Sequence, residues 1–375
     1  MNSIKEITVF SIGNANELKT WSNVPYFFTK SIEDKNIKVN RINLEENHFL
    51  NILYKYSIYL FFKLINKNSN HSYFRSRLNY YLTNRKIKAS IKKFDKADVL
   101  LFLTYSFSAS NQKNKKIVLF SDWSYLYYIN NFLKREAIWF EQKTLHFEQQ
   151  HINEANTVIS LFPKSLEFNL QHYNNKQQYY LGNVINGNYA LNKEVLVAQK
   201  QKSNQLLFIG NKKYIQGAID LIKAFEQLQT RAELHIIGLN ENEVGIKTNN
   251  LFYHGYLNKG ITCENELYYK LLTEAKVIVN TNPDWGAFSA MTEAMYYFTP
   301  VITSPYPEFT ETYGTEINFG FYVNHNATEE LVLKLENVLN NSPESQQKLM
   351  DNAHEQVKGY SWSSYTDKVL TLISE

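Results

Sequence analysis

The stretch VIVNTNPDWGAFSAMTEAMYYFTPVITSP, residues 277–305, has a short apolar run at each end and a helical pattern between them. The two end runs are rich in β-branched residues, which is typical of buried strands in a parallel sheet. Pro283 and Gly286 predict a turn after the first strand. Apolar residues then recur at helical spacing: Met291, Ala294, Met295 and Phe298. The stretch therefore predicts a strand, a core-facing helix from about Ser289 to Tyr297, and a second strand.

Glu293 is the one carboxylate in this helix and lies off its apolar stripe. A charge close to a core loses free energy unless a polar group meets it. The free N–H groups and positive dipole at the helix start favour a phosphate, and a carboxylate one turn deeper can accept hydrogen bonds from a ribose diol. We therefore infer that the polar partner of Glu293 is a nucleotide ligand. The alternative is that Glu293 caps its own helix or meets a lysine.

The same alternation of strand and helix patterns runs through the whole chain and restarts after the polar stretch 192–204. This rhythm predicts an α/β protein made of two Rossmann-like, doubly wound domains. We expect an N-terminal domain over residues 1–190, a C-terminal domain over 191–359, and a last helix, about 360–375, that returns to the first domain. Ligands of such sheets bind beyond the carboxyl ends of the strands, so a cleft between the domains is the expected site.

Composition excludes several classes of protein. The 375 residues are 44% hydrophobic and 20% charged, as in ordinary globular chains. The single cysteine, Cys263, is incompatible with a disulfide framework. No secretory signal is recognisable, and a reducing cytoplasm is the expected compartment. The net charge of +4 is too small to indicate a nucleic-acid partner. No clustered metal-binding motif occurs in the sequence, and the lack of a P-loop or GxGxxG motif disfavours kinases and dehydrogenases.

Residues 54–97 are rich in Lys, Arg, Tyr and Phe. This composition predicts one or two amphipathic helices with a solvated basic face. A second interpretation is a surface that contacts anionic lipid head groups at the inner face of a membrane. The sequence leaves both open.

The opening stretch resembles the donor-site motif of GT-B glycosyltransferases of family 4, the retaining group 1 enzymes. Glu293 matches the motif's second glutamate, which in the family binds the ribose of a nucleotide sugar. Ala294-Met295 and 300–302 match the residues that follow. The first glutamate's position is occupied by Trp285, with Asp284 beside it.

Other segments resemble the same family. In LLFIGNKKYIQGAIDLIKAF, residues 206–225, Gly210 and Gly217 fit the family's strand–loop–helix. The resemblance assigns the following residues to the donor: Gly210, Asn211, Lys212, Lys213, Gln216, Gly255, Asp284, Trp285, Phe288, Ser289, Ala290 and Glu293. Asn211 and Gln216 stand where the family has an Arg and a Lys that bind the diphosphate; Lys212 and Lys213 either supply those charges or are solvated loop residues.

The N-terminal half resembles a subset of the family. TWSNVPYFFTKSIEDKNIKV begins with Thr20, Trp21 and Ser22, which the resemblance places on the acceptor side. Asp122 ends a strand in LFSDWSYLYYI and is a candidate to bind the acceptor hydroxyl or the transferring sugar; the alternative is that it caps the following helix. The helix-like segment 145–155 also contains Glu148 and His151, which are expected to be solvated.

The resemblance implies a metal-independent hexosyltransferase that moves a sugar from a nucleotide sugar to a glycan or lipid-linked acceptor, with retention, in bacterial cell-surface polysaccharide synthesis. Asp122 and Glu293 are its expected catalytic carboxylates. Two alternatives remain open. One is a non-catalytic relative that binds a nucleotide sugar or acts as a scaffold, since three donor positions are altered. The other is a sugar-nucleotide epimerase on the same architecture.

Overall fold

The computed structural model describes residues 4–67, 72–109, 112, 114–187, 191–283 and 288–374. The chain divides into two compact units. Unit 1 comprises residues 1–184 and 362–375, and unit 2 comprises residues 185–361. The division lies six residues before the predicted boundary at 190/191, and the return to unit 1 lies two residues after the predicted one.

Unit 1 is built on a parallel six-stranded sheet in the order β2-β1-β3-β4-β5-β6. Its strands are β1 (Glu6–Ser11), β2 (Lys38–Asn43), β3 (Val99–Leu103), β4 (Lys116–Ser121), β5 (Thr157–Ser160) and β6 (Gln178–Tyr179). Its helices are α1 (Val24–Glu33), α2 (His48–Lys55), α3 (Ile58–Ile65), α4 (Arg77–Lys93), α5 (Tyr125–Tyr127), α6 (Gln142–Glu154) and α7 (Pro163–His172).

Unit 2 repeats the architecture, with a parallel sheet in the order β12-β11-β10-β7-β8-β9. Its strands are β7 (Gln205–Ile209), β8 (Glu233–Ile237), β9 (Leu251–Gly255), β10 (Val277–Asn280), β11 (Val301–Thr303) and β12 (Gly320–Tyr322). Its helices are α8 (Lys193–Lys202), α9 (Ile215–Phe225), α10 (Glu241–Val244), α11 (Thr262–Glu274), α12 (Phe288–Tyr296), α13 (Pro307–Tyr313), α14 (Thr328–Asn340) and α15 (Pro343–Val357). The predicted α/β class with two doubly wound sheets is confirmed.

The last helix, α16 (Trp362–Ser374), packs within unit 1 against α1. The Trp362 ring stacks on Phe28 with a centroid distance of 5.1 Å, and Lys35 forms an ion pair of 2.6 Å with Asp367. Trp362 is buried. The C-terminal helix therefore completes the apolar core of the first unit.

The polar stretch 192–204, after which the sequence pattern restarts, is mostly helix α8. Its Lys200 is fully buried and donates hydrogen bonds of 2.8–2.9 Å to the Leu272 carbonyl, the Ala275 carbonyl and the Thr299 hydroxyl. These bonds satisfy the buried ammonium, and they also give partners to the carbonyls at the end of α11. A buried charge of this kind cannot be recognised from a run of polar residues.

The basic–aromatic segment 54–97 contains helix α4 and helix α3 together with the end of α2. The two shorter helices expose large apolar side chains, including Phe61 at 59% and Leu64 at 86%. Among the described helices, none has both the length and the apolar character needed to cross a bilayer.

Candidate functional site

Helix α12 begins at Phe288, one residue before the predicted start, and is buried on nearly every side. The four predicted core residues are buried, but so are Thr292 and Glu293. The Glu293 carboxylate accepts hydrogen bonds from the Lys259 ammonium at 2.7 and 2.9 Å and from the Tyr268 hydroxyl at 2.7 Å. The polar partner of Glu293 in the free chain is thus the protein itself. The alternative that Glu293 meets a lysine is therefore confirmed, and the inference of a nucleotide partner stays a prediction.

Lys259 follows β9 in the sequence, and its ammonium reaches three features of unit 2. It pairs with Glu293, donates to the Asn186 carbonyl at 3.2 Å, and lies 4.1 Å from the centre of the Tyr268 ring. The side chains of Lys259 and Glu293 are only 12% and 7% exposed, so this ion pair is almost fully desolvated. Burial and the adjacent Glu293 charge raise the pKa of Tyr268 well above its ordinary value, which keeps the hydroxyl a hydrogen-bond donor.

Glu293 Oε1 accepts the shorter of the two hydrogen bonds from Lys259. Gly187 borders that oxygen, because a β-carbon at this glycine would lie 3.0 Å from it. Any larger residue at position 187 would press on the carboxylate.

The carboxyl ends of β7, β8 and β9 are joined by glycines. The Gly210 N–H donates to the Ile237 carbonyl at 3.0 Å, and the Gly238 N–H donates to the Gly255 carbonyl at 2.6 Å. Gly238 has φ +96°, and a β-carbon there would lie 2.5 Å from the Gly210 carbonyl oxygen. These glycines let the loops after the three strands approach one another closely.

The loop after β7 carries the predicted cationic residues at the surface. Asn211 caps the following 3₁₀ turn by accepting from the Lys213 N–H at 3.0 Å. Lys212 and Lys213 are exposed. Gln216 donates to Asp220 at 2.9 Å, so this amide is engaged with its own helix. The structure places both lysines beside the start of α9, where a diphosphate would benefit from their charge.

At the end of β10 two buried polar atoms have no hydrogen-bond partner in the part of the chain that the structure describes: Asn280 Nδ2 and Thr281 Oγ1. Gly217, in the first turn of α9, packs directly against this strand end, since a β-carbon there would lie 2.7 Å from Asn280 Oδ1. Unsatisfied buried donors cost free energy and are commonly found where a ligand binds. They lie at the same edge of the sheet as the loops of β7 and β9.

Of the predicted residues around the start of α12, Ser289 is exposed, Ala290 is half-buried and Phe288 packs its ring against Phe309 and Tyr313. Asp284 and Trp285 lie outside the described residues.

In unit 1, Asp122 follows β4 and is partly accessible. Its carboxylate accepts from the Trp123 N–H at 2.9 Å and from the Ser121 hydroxyl at 3.2 Å, and the Trp21 side chain also donates to it. Burial outweighs these bonds and raises the pKa of Asp122 to about 6. Asp122 does not cap the next helix, because the Ser124 hydroxyl accepts from the Tyr127 N–H instead.

The loop that brings Trp21 to Asp122 has an unusual backbone. Trp21, Ser22 and Asn23 all have left-handed conformations, with φ of 36°, 52° and 70°. Each such non-glycine residue costs about 1 kcal/mol or more, so the surrounding contacts must hold the segment in place. The buried Thr20 hydroxyl donates to the Asn14 carbonyl at 2.7 Å, and the Trp21 ring packs edge-on against Phe120. Strain of this kind is concentrated at functional sites.

Two polar residues of α6 were wrongly expected to be solvated. His151 is buried, contacts the Tyr80 hydroxyl at 3.0 Å and the Tyr105 carbonyl at 3.1 Å, and burial lowers its pKa to about 4. Glu148 is buried and accepts from the Tyr125 N–H at 2.6 Å, while burial raises its pKa to about 7. Both hold the elements that carry Asp122.

No group of three or more His, Cys, Asp or Glu side chains in the described ranges is arranged to bind a metal ion.

Comparison with known proteins identifies one matching family model and several solved structures with a similar fold. Residues 193–356 match the family model described as "Glycosyl transferases group 1". No curated protein sequence matches the chain. Among solved structures, sucrose-phosphate synthase from Thermosynechococcus elongatus superposes with a TM-score of 0.69 at 14% identity, over 99% of this chain and 98% of that one. WaaG, a glycosyltransferase involved in lipopolysaccharide biosynthesis, gives 0.64 at 15% identity, over 98% and 99%. HepE from Anabaena, solved with UDP and glucose, gives 0.63 at 13% identity, over 99% and 100%. The chain therefore has the fold of GT-B enzymes.

Proposed function

We propose, from the premise that residues 193–356 belong to the glycosyl transferases group 1 family, that this GT-B protein transfers a hexose from a nucleotide sugar to a glycan or lipid-linked acceptor. Unit 2 binds the donor and unit 1 binds the acceptor. The anomeric configuration is retained, no metal takes part, and the product belongs to a bacterial cell-surface polysaccharide.

The observation that carries this proposal is the position of Glu293. Its carboxylate lies in α12, and the protein holds it in one orientation through Lys259 and Tyr268. A carboxylate fixed in this way is preorganised to accept the hydroxyl protons of a ribose. Asn280 Nδ2 and Thr281 Oγ1, which lack a hydrogen-bond partner among the described residues, lie at the same edge of the sheet and favour it as the ligand site.

The residues of unit 2 have complementary roles in this mechanism. The N–H groups of Phe288, Ser289 and Ala290 at the start of α12, aided by Lys212 or Lys213, stabilise the negative charge that develops on the leaving diphosphate. The loop at Gly255 receives the base. The departing phosphate oxygen then takes the proton of the acceptor hydroxyl, so no side chain of unit 2 acts as a general base.

Asp122 positions the acceptor hydroxyl or the transferring sugar in unit 1. Trp21 and the Ser121 hydroxyl orient its carboxylate. Its raised pKa makes it a better acceptor of hydrogen bonds than an ordinary surface aspartate when it is ionised, because a more basic carboxylate binds a hydroxyl proton more strongly. Thr20 and Ser22 hold and flank the strained loop that presents Trp21.

Thermal unfolding with UDP-glucose and a panel of other nucleotide sugars tests donor binding directly. A bound donor at a hundred times its Kd stabilises the chain by about 2.7 kcal/mol. Glu293→Gln keeps the bond to Tyr268 but weakens the ribose contact, so we expect a shift of the donor Kd by about tenfold or more. Glu308→Gln, a buried glutamate of α13, is the matched control. If no nucleotide sugar raises the melting temperature, the proposal is wrong.

The non-catalytic alternative is favoured by one observation, the saturation of Glu293 by Lys259. A relative that only binds the donor would be stabilised by a nucleotide sugar and would neither hydrolyse nor transfer it. Following release of the nucleoside diphosphate over hours, with and without a lipid extract as acceptor, separates the two functions. Release that is abolished in Asp122→Asn, with donor binding intact, identifies the enzyme.

Unit 1 also carries the proposed contact with a membrane, at the cytoplasmic face. The exposed apolar side chains of α2 and α3 face solvent beside several lysines, a combination that partitions into anionic lipid surfaces. Phe61→Ser with Leu64→Ser should lower sedimentation with anionic liposomes at least fivefold, because each lost side chain removes about 1.5–3 kcal/mol of apolar burial. Leu333→Ser, an equally exposed leucine of unit 2, is the control. Equal sedimentation of both variants would remove the membrane from the proposal.

A further inference from the structure

Beneath the exposed helices of unit 1 lies a cavity of about 430 Å³. Its walls are aromatic and aliphatic: Tyr54, Ile58, Phe62, Phe74, Phe107 and Phe140. Phe62 packs against Phe140 at 4.4 Å between ring centres, and Tyr80 stacks on Phe147 at 3.9 Å. The volume falls in the range of small-molecule sites, and the walls suit an apolar occupant.

Three cations line the same cavity, namely Arg75, Arg77 and Lys143. No Asp or Glu is among its lining residues in the described part of the chain. Arg75 lies 4.0 Å over the Tyr125 ring and interacts electrostatically with the buried Glu148, so its charge is partly balanced. Arg77 and Lys143 are exposed, and within the described ranges neither forms an ion pair, so both bring positive charge to the rim.

From this apolar interior and cationic rim we infer that the cavity binds one hydrocarbon chain of an anionic lipid, with the head group against Arg77 and Lys143. An inorganic anion would make no apolar contact with the aromatic walls, and a neutral hydrocarbon would make no ionic contact with the cations. The exposed apolar surface of α2 and α3 lies on the other side of the same helices, which places the cavity where a lipid can enter it from a bilayer.

The cavity reaches the carboxyl edge of the sheet at which Asp122 also lies. Ser106 and Phe107 follow the end of β3, and Tyr125, which Arg75 covers, comes three residues after Asp122. Resting on the proposed function, the bound lipid is the sugar acceptor or its carrier, and its head group lies at the carboxyl edge of the sheet that carries Asp122.

Direct binding tests the inference without any transfer reaction. Dodecyl phosphate below its micelle concentration, dodecanol and inorganic phosphate are titrated separately into the full chain by native mass spectrometry and calorimetry. We expect one dodecyl phosphate per chain, dodecanol at least tenfold weaker, and no measurable phosphate binding. Absence of dodecyl phosphate binding overturns the inference, and phosphate binding as tight as dodecyl phosphate shows a simple anion site and overturns it too.

Variants then locate the bound molecule. Arg77→Glu with Lys143→Glu places acids in the first turns of α4 and α6, where the helix dipoles favour them, so folding is retained. This pair should weaken dodecyl phosphate at least tenfold and leave dodecanol unchanged. Lys88→Glu with Lys92→Glu, an equal charge change elsewhere on α4, should alter neither.

Ser106→Phe adds a ring at the cavity wall and should weaken both dodecyl phosphate and dodecanol, with unfolding transitions checked for each variant. An equal loss in the Lys88 and Lys92 control would mean non-specific attraction and would overturn the inference. Lipid binding without sugar transfer would contradict only the proposed function, and transfer to a soluble glycan without lipid binding would contradict only this inference.

Discussion

The two carboxylates proposed for function, Asp122 in unit 1 and Glu293 in unit 2, are stabilised in opposite ways. Glu293 is almost fully buried and bridged on both oxygens by a lysine. Asp122 is held by neutral donors, and burial raises its pKa to about 6. The ion pair with Lys259 fixes the orientation of the Glu293 carboxylate. Asp122 has no such pairing in the described part of the chain, so its ionised form lowers the stability of the folded chain. The difference is consistent with the proposed roles, in which Glu293 positions the donor and Asp122 contacts the reacting groups.

The largest expected effect on stability comes from breaking the Lys259–Glu293 ion pair of unit 2. Lys259→Met leaves Glu293 buried without a cation, which should destabilise unit 2 by about 3–5 kcal/mol. Adding Glu293→Gln removes the stranded charge and should recover most of the loss. Urea unfolding with hydrogen exchange at α12 measures both.

Lys247→Met is the matched control for this experiment, because Lys247 pairs with Glu241 on the surface at 81% and 50% exposure. Its loss should change stability by less than about 1 kcal/mol. If Lys259→Met costs as little as Lys247→Met, the buried pair is not desolvated and the contrast with Asp122 fails.

The next effect is a pH dependence specific to unit 1. The folded chain raises the pKa of Asp122 from 3.8 to about 6, so protonation favours the folded state. This contribution is complete below about pH 4 and is lost as the pH rises to about 6, a decrease of roughly 3 kcal/mol. Asp122→Asn should lack the decrease and be more stable than the natural chain above pH 6, while losing transfer activity.

Stability curves of both proteins between pH 3.5 and 8 check this prediction, with the difference between the two proteins as the readout. Because Glu148 also titrates in this range in both proteins, only the difference reports on Asp122. Parallel curves would contradict the assignment.

A smaller effect tests whether the Trp21 indole donates a hydrogen bond to Asp122. Trp21→Phe removes a donor to Asp122, so the pKa of Asp122 should rise further and the Asp122-dependent loss of stability should extend to higher pH. The bond to a charged group contributes about 1.5 kcal/mol. Trp139→Phe, at a tryptophan that is 70% exposed, should leave the profile unchanged. An unshifted Trp21→Phe profile would mean that the indole only packs.

The smallest effect concerns the strained loop. Ser22→Gly relieves one left-handed residue and should stabilise unit 1 by about 1 kcal/mol, while Ser22→Ala should not. Thermal unfolding compares the two. A neutral Ser22→Gly would show that the loop is not strained at this residue.

Much of this fold follows from sequence periodicity, since short apolar runs marked β1, β4, β7 and β10 to within one or two residues. The sites were harder to predict. Lys259 lies 34 positions from Glu293 in a loop without any pattern, and only the folded sheet brings the two together. A periodic signal was available for α6, because Glu148, His151 and Ile152 occur at i, i+3 and i+4, the spacing of a buried face.

The return of the chain to unit 1 has a consequence for how the protein is made. Because α16 supplies Trp362 and Tyr365 to the core of unit 1, the ribosome must synthesise all of unit 2 before the first half can be completed. Unit 2 is continuous in sequence and can finish folding earlier. The usual N-terminal-first order of maturation is thus reversed, and until α16 has been synthesised the nascent first half exposes the apolar face of α1 to chaperones.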